Sequence, residues 1–417
     1  MPRKVLITFL GTGRLNKEGT NTRDYAKVTY LFNGKKIESS FVSLILAGEL
    51  KADKVIIIGT LKSMWEELYL RILGEGNINE DFYLELTELH KTYKDINDDV
   101  YRIISRLEKE VSEKAGLNIK ILLLKNGINQ DEIDFNIDVT IDFLQNQLLG
   151  DIKWEVYVDI THGFRSMAFI INQVIFYFSQ VFDDQIKFRK IYYGMMEVIK
   201  DLGYAPIVSL SRLIDLNQWA QASYAFKNYG NAYLLSDLLT NKKDNPAIKV
   251  LKEFSNTLNL SLIFHVKNQL KALDKLIKQE YHSSLASLII PRVIQDFSSF
   301  FGSSSQLLKD SVFQIKLARW HFNRKNFGLS VIVLYEAAIT WICENENLEP
   351  TARNDRERAK SLLSDKNYHD LRNILNKYKI DNIRNGVAHQ LPKQIPVSTA
   401  IKNLESALNE LEKIILV

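Results

Sequence analysis

At 417 residues the chain is too long for one ordinary core of about 100 to 200 residues, so two or three folded units are expected. Hydrophobic residues at 46%, charged residues at 25% and only seven prolines exclude a largely disordered chain. The net charge of +4 sets 54 basic residues against 50 acidic ones, so composition does not single out a nucleic-acid binder and any polyanion site must be a local cluster.

The chain opens Met1-Pro2-Arg3-Lys4 and passes into a short apolar strand, and no stretch reaches about 18 uninterrupted apolar residues. Neither secretion nor a membrane span is expected. The single cysteine, Cys343, can form neither an internal disulfide nor a cysteine metal site, and its apolar neighbours place it in a core. A reducing cytoplasm fits it best.

In the first half, short β-branched or aliphatic strands predicted at 5–10, 54–58, 119–124 and 154–160, with a fifth candidate at 188–194, alternate with helices predicted at 38–50, 63–73, 97–115, 136–148 and 165–181. This alternation predicts an α/β domain of Rossmann type with a mostly parallel sheet. After Tyr204-Ala205-Pro206 no alternating strand pattern returns, and nine helical stretches between 209 and 415 predict an all-α remainder, with breaks at Ser-rich 302–305 and at Pro392 to Pro396. The expected division is an α/β domain at 1–205, a helical connector at 206–300 and a last helical domain at 301–417. The connector is assigned by elimination.

Ligands of an open parallel sheet bind beyond the carboxyl ends of its strands. The first strand runs into Leu10-Gly11-Thr12-Gly13-Arg14, with two glycines for close backbone approach, a hydroxyl and a guanidinium suited to phosphate. The same string also makes a plain tight turn. The second ends in Gly59-Thr60-Leu61-Lys62-Ser63-Met64-Trp65, where Ser63 is expected to cap the next helix, with or without an anion at that helix's amides. The fourth ends in Asp159-Ile160-Thr161-His162-Gly163-Phe164-Arg165-Ser166-Met167, a density of hydroxyl, imidazole, glycine and guanidinium that a structural turn does not need. Together these loops describe a shallow polar pocket for phosphates and adenine edges. The third glycine of a dinucleotide fingerprint, an acidic residue after the second strand and a phosphate loop ending in Gly-Lys-Ser/Thr are all missing, which argues against nicotinamide and P-loop chemistry.

In the helical half, Ile383-Arg384-Asn385-Gly386-Val387-Ala388-His389-Gln390 brings Arg, Asn and His within six residues. An RNA phosphodiester is cleaved without metal when its own 2′-hydroxyl attacks phosphorus, which needs proton transfer at two oxygens and stabilisation of added negative charge. His389 can transfer protons near neutral pH, Arg384 can hold phosphate oxygens through two parallel bonds, and Asn385 can orient either the imidazole or the phosphate. Positions five apart on a helix are rotated by roughly 140°, so Arg384 and His389 cannot line one stripe. A two-fold dimer would gather two of each around one cleft and supply acid and base from two copies of one histidine. Arg353, Arg356, Arg358 and Lys360 offer RNA-backbone contacts, though Asp355 and Glu357 interleave with them as on a solvated face. The other histidines show no metal-ligand spacing, and no catalytic metal or other cofactor is expected.

The order of T-F-L-G-T-G, I-I-I-G-T-L-K-S-M-W and D-I-T-H-G-F-R-S-M, followed by R-N-G-V-A-H in a helical half, resembles the ribonucleases of type III CRISPR systems that join a CARF sensor to a HEPN domain. The resemblance covers essentially the whole chain. It implies a homodimer that binds a cyclic oligoadenylate and then cuts single-stranded RNA, as a cytoplasmic antiviral endoribonuclease without a lasting complex with the CRISPR effector. It carries ligand contacts onto Thr12, Gly13, Ser63, Met64, Thr161, His162, Gly163, Phe164 and Arg165, beside Gly11 and Arg14 of the first loop, and catalysis onto Arg384 and His389 with Asn385 in support. Two-fold symmetry makes cyclic tetra-adenylate the first expectation and cyclic hexa-adenylate the second. Some sensors of this type also cleave their activator, for which Thr12 or Thr161 offers a hydroxyl. The competing reading is a cyclic-nucleotide-sensing regulator whose helical half is inert.

Overall fold

A computed structural model describes residues 2–15, 23–24, 27–163, 165–239, 246–281, 284–297, 308–389 and 395–416. The chain divides into two compact units, Met1–Asp215 and Leu216–Val417. The Ser-rich break at 302–305 lies outside the described residues.

The first unit opens with β1 (Arg3–Phe9), a two-residue ribbon of β2 (Arg14–Leu15) and β3 (Arg23–Asp24), β4 (Val28–Phe32), β5 (Lys35–Ser39) and α1 (Val42–Leu50). β6 (Lys54–Gly59), α2 (Trp65–Leu73), α3 (Glu80–Thr92), α4 (Asp98–Ala115), β7 (Asn118–Leu123) and α5 (Gln130–Leu148) follow. β8 (Trp154–Asp159), α6 (Arg165–Val181), β9 (Ile186–Gly194), α7 (Ile199–Leu202) and β10 (Ala205–Ser209) complete the unit. The eight-stranded sheet has the order β5-β4-β10-β9-β8-β1-β6-β7. Its five strands from β9 to β7 run parallel, as expected, whereas β10 is antiparallel to β9 and β5 is antiparallel to β4.

The period of two along each strand fills both faces. Leu6, Val55, Ile57, Ile119 and Ile121 join the core under α1 to α4, while Val5, Ile7, Ile56, Ile58 and Val158 join the core under α5 and α6. Asn79, Asn97 and Asn129 cap α3, α4 and α5 by accepting from the amides of Phe82, Val100 and Glu132. The sheet extends past the expected boundary at residue 205. β10 contains Pro206, whose ring removes an amide but leaves a carbonyl that accepts from Met195 N at 3.0 Å, so proline sits in a strand here without ending the sheet.

The second unit is helical: α8 (Arg212–Tyr229, which begins in the first unit), α9 (Tyr233–Leu238), α10 (Pro246–Asn259), α11 (Ile263–Ile277) and α12 (Ser284–Gln295), then α13 (Asp310–Asn323), α14 (Phe327–Asn345), α15 (Arg353–Leu362), α16 (His369–Lys377), α17 (Ile380–His389) and α18 (Val397–Ile415). One apolar core runs from Trp219 to Ile415, so the expected boundary near residue 300 does not divide the packing. α14 is long and apolar enough to cross a membrane by length and composition, but Val331, Leu334, Ala338, Ile342 and Cys343 are buried in this core. Ser330 Oγ, inside it, donates to Ala318 O of α13 at 2.8 Å.

Candidate functional site

At the carboxyl end of the parallel strands, the loops after β1 and β6 are bound to one another. Ser63 Oγ donates to Leu10 O at 2.6 Å and accepts from Thr60 N at 2.9 Å, and Met64 N donates to Gly11 O at 3.0 Å. Ser63 is only 4% exposed and both hydroxyl roles are committed inside the protein. Its side chain therefore joins two loops and does not present a hydroxyl to a ligand, and α2 is entered through Met64 without a side-chain cap, unlike the expected Ser63 cap. Met64 is likewise buried.

The loop after β8 is set by Asp159, fully buried at the strand's end. Its carboxylate accepts from Thr8 Oγ1 at 2.8 Å, Thr161 N at 3.0 Å and Thr161 Oγ1 at 2.5 Å. Thr161 Oγ1 in turn accepts from Gly194 N at 2.8 Å. One buried carboxylate thus ties β1, the β8 loop and the end of β9 together, which leaves Thr161 as a structural link with no hydroxyl hydrogen free for activator cleavage. Gly163 is required by close approach, because a Cβ there would stand 2.9 Å from the Phe9 ring. Gly13 has a φ of +67°, the left-handed region that glycine enters without strain.

Gly11, Thr12, Gly13, Thr161, His162 and Gly163 form the half-buried rim of these loops. Burial pushes the His162 imidazole below its ordinary value against an upward pull from Asp159, so at neutral pH the ring is uncharged and offers a hydrogen bond in place of a charge. It packs edge-on to Phe41 at 6.3 Å between centroids. Phe164 lies outside the described residues, as do the side chains of Arg14 and Arg165.

Arg384, Asn385 and His389 all lie on α17. The half-buried Arg384 guanidinium lies 5.3 Å from the Tyr335 ring centroid, and its Nη2 is 4.0 Å from Glu336 Oε1. Both partners belong to α14. Arg384 Nη1 donates to Asn385 Oδ1 at 3.0 Å, so Asn385 holds the arginine. His389, the last residue of the helix, is exposed. The arginine and the histidine thus have different surroundings, as a rotation of roughly 140° requires. Burial and the charge of Asp381 push the Tyr335 hydroxyl up to about 12, so it stays protonated at neutral pH. Arg356 does not face a free surface: it pairs closely with Glu336 and donates to Thr340 Oγ1 and Pro350 O. Lys360 pairs with Glu357 along α15.

Residues 5–197 match the family profile of the CARF domain of the CRISPR system endoribonuclease Csx1. The chain carries a CARF domain. Residues 215–305 match the second domain of the CRISPR-associated protein MJ1674. Over 403 residues the CARF protein is 32% identical to MJ1674 of Methanocaldococcus jannaschii, a match that takes in 93% of the chain and 62% of that relative. The CARF protein thus spans under two thirds of the relative's length. Among solved structures it is similar to Enterococcus italicus Csm6 bound to cyclic hexa-2′-fluoro-hexa-dAMP, at 12% identity and a TM-score of 0.39 over 100% of this chain and 94% of that one.

The residues that sequence reading missed are supporting ones: Thr8, Thr60 and Gly194 in the first unit, and Tyr335 and Glu336 in the helical unit. Glu336 carried a signal, being a carboxylate in the middle of an apolar helix.

Proposed function

We propose that the rim of the first unit binds a cyclic oligoadenylate and that binding switches on α17 as a single-stranded RNA endoribonuclease in a two-fold dimer, as part of CRISPR antiviral defence. The observation that carries this reading is the joined set of loops at the carboxyl ends of β1, β6 and β8, in a domain of the CARF family, in a chain whose α17 bears Arg384 and His389. The hydroxyl of Thr12 and the close backbone approach allowed by Gly13 and Gly163 suit phosphates, and a neutral His162 suits an adenine edge.

In the cleavage step the RNA 2′-oxygen forms a bond to phosphorus as its proton passes to one His389. The bond to the 5′-oxygen breaks as that oxygen takes a proton from the partner's His389, leaving a 2′,3′-cyclic phosphate and a 5′-hydroxyl. Arg384, held by Asn385, stabilises the charge on the phosphorane. No step calls on a metal, so activity should persist in EDTA.

The test is to incubate the protein with labelled single-stranded RNA, alone and with cyclic tetra-adenylate, cyclic hexa-adenylate or linear oligoadenylate. Cleavage only with a cyclic species, and calorimetric binding of one activator per dimer, is the expected result. Binding without cleavage would replace this reading with that of a regulator whose helical unit is inert. One activator per chain would displace the sensor site from the two-fold axis.

A further inference from the structure

Arg356, Glu336 and Arg384 form a row of alternating charge reaching from α15 across α14 to α17. Arg356 is fixed at one end by Glu336 Oε2, Thr340 Oγ1 and Pro350 O. The other oxygen of Glu336, Oε1, faces Arg384 Nη2 at 4.0 Å, near enough to attract the guanidinium but too far to take a hydrogen bond from it. Arg384 therefore keeps donors for another anion, and its Nε is buried without a hydrogen-bond partner among the described residues. The row carries a net charge of +1, because Arg356 already balances Glu336. A lone carboxylate would cancel Arg384, whereas this one aims it and leaves its charge available to phosphate.

We propose that Glu336, anchored by Arg356, is a positioning residue that aims the Arg384 guanidinium at the scissile phosphate. The inference rests on the reading of α17 as the cleaving element. In RNA cleavage at saturating cyclic tetra-adenylate, Glu336→Gln should lower kcat between about 10- and 100-fold, the scale of a misplaced clamp. It should leave the KM for RNA and the half-activating concentration unchanged, and Glu336→Asp should recover part of the rate. Introduced into Arg384→Ala, Glu336→Gln should cost nothing more.

Wild-type kcat in Glu336→Gln, an equal loss in the Arg384→Ala background, or a raised rate without activator would overturn the proposal, the last by making Glu336 a restraint. If the unaltered protein cuts no RNA, or Arg384→Ala cuts as well as it does, the cleavage reading itself has failed. Positioning is then read directly from the Arg384 Nε–H resonance in protein labelled with 15N-arginine. That resonance should be sharp in the unaltered chain and broadened in Glu336→Gln, and identical spectra would refute the positioning role.

Discussion

On the proposed function, two side chains of α17 divide the chemistry, and each has surroundings that suit its part. His389 is exposed, as proton transfer shared with a second copy would require, while Arg384 is steadied by Tyr335, Glu336 and Asn385. Changing either to alanine should reduce RNA cleavage at least about 100-fold, since proton transfer or charge stabilisation alone is worth that much. Calorimetry should find activator binding unchanged, and a double variant that still cuts RNA would remove both assignments. The sequence disclosed these residue types but not their supports. Thr8 meets Asp159 across 151 positions and Arg356 meets Glu336 across 20, and such long-range partners leave no local spacing to read. For the same reason Ser63 looked like a ligand contact, although its partner Leu10 lies 53 positions away.

Among elements, β1, β6 and β7 were legible because each is a largely aliphatic run buried on both faces, and β8 by its alternating buried residues. β4, β5 and β10 were not. β5 reads Lys35-Lys36-Ile37-Glu38-Ser39, a largely exposed edge strand, and the proline in β10 resembled a boundary. The joint between the β1 and β6 loops carries its own prediction. Ser63→Ala removes one acceptor and one donor from a buried site, leaving Leu10 O and Thr60 N to find new partners, at a cost of about 1 to 3 kcal/mol. Urea denaturation of the variant should show that loss, and calorimetry should show weaker cyclic tetra-adenylate binding together with it. Stability lost with affinity intact would mean that the joint does not shape the rim.

For the whole chain, acid tolerance is set in part by one histidine of the helical unit. Burial, reinforced by the charge of Arg324, pushes His321 down to about 4. In the unfolded chain it titrates near about 6.5, so between those values the unfolded form holds a proton that the folded form does not. Stability therefore falls as pH drops from about 6.5 towards 4 and levels off below, with a total loss on the order of 3 kcal/mol. His321→Gln should flatten that part of a stability profile measured by urea denaturation at several pH values. An unchanged slope would assign the acid sensitivity to other groups.

The Asp159 hub has a consequence in time. Because it ties β1, the β8 loop and the end of β9 before any activator arrives, association has little ordering to wait for and should follow encounter, with a rate constant of about 10⁵ to 10⁷ M⁻¹s⁻¹ that is linear in activator concentration. Differences between activators then fall on how slowly each one leaves. On the proposed function, the residence of the nucleotide on the rim sets how long the nuclease stays on after the signal stops, so the hub works as the frame of a timer. Stopped-flow mixing should show it, and an association rate that saturates at high activator would mean that the loops assemble only after contact.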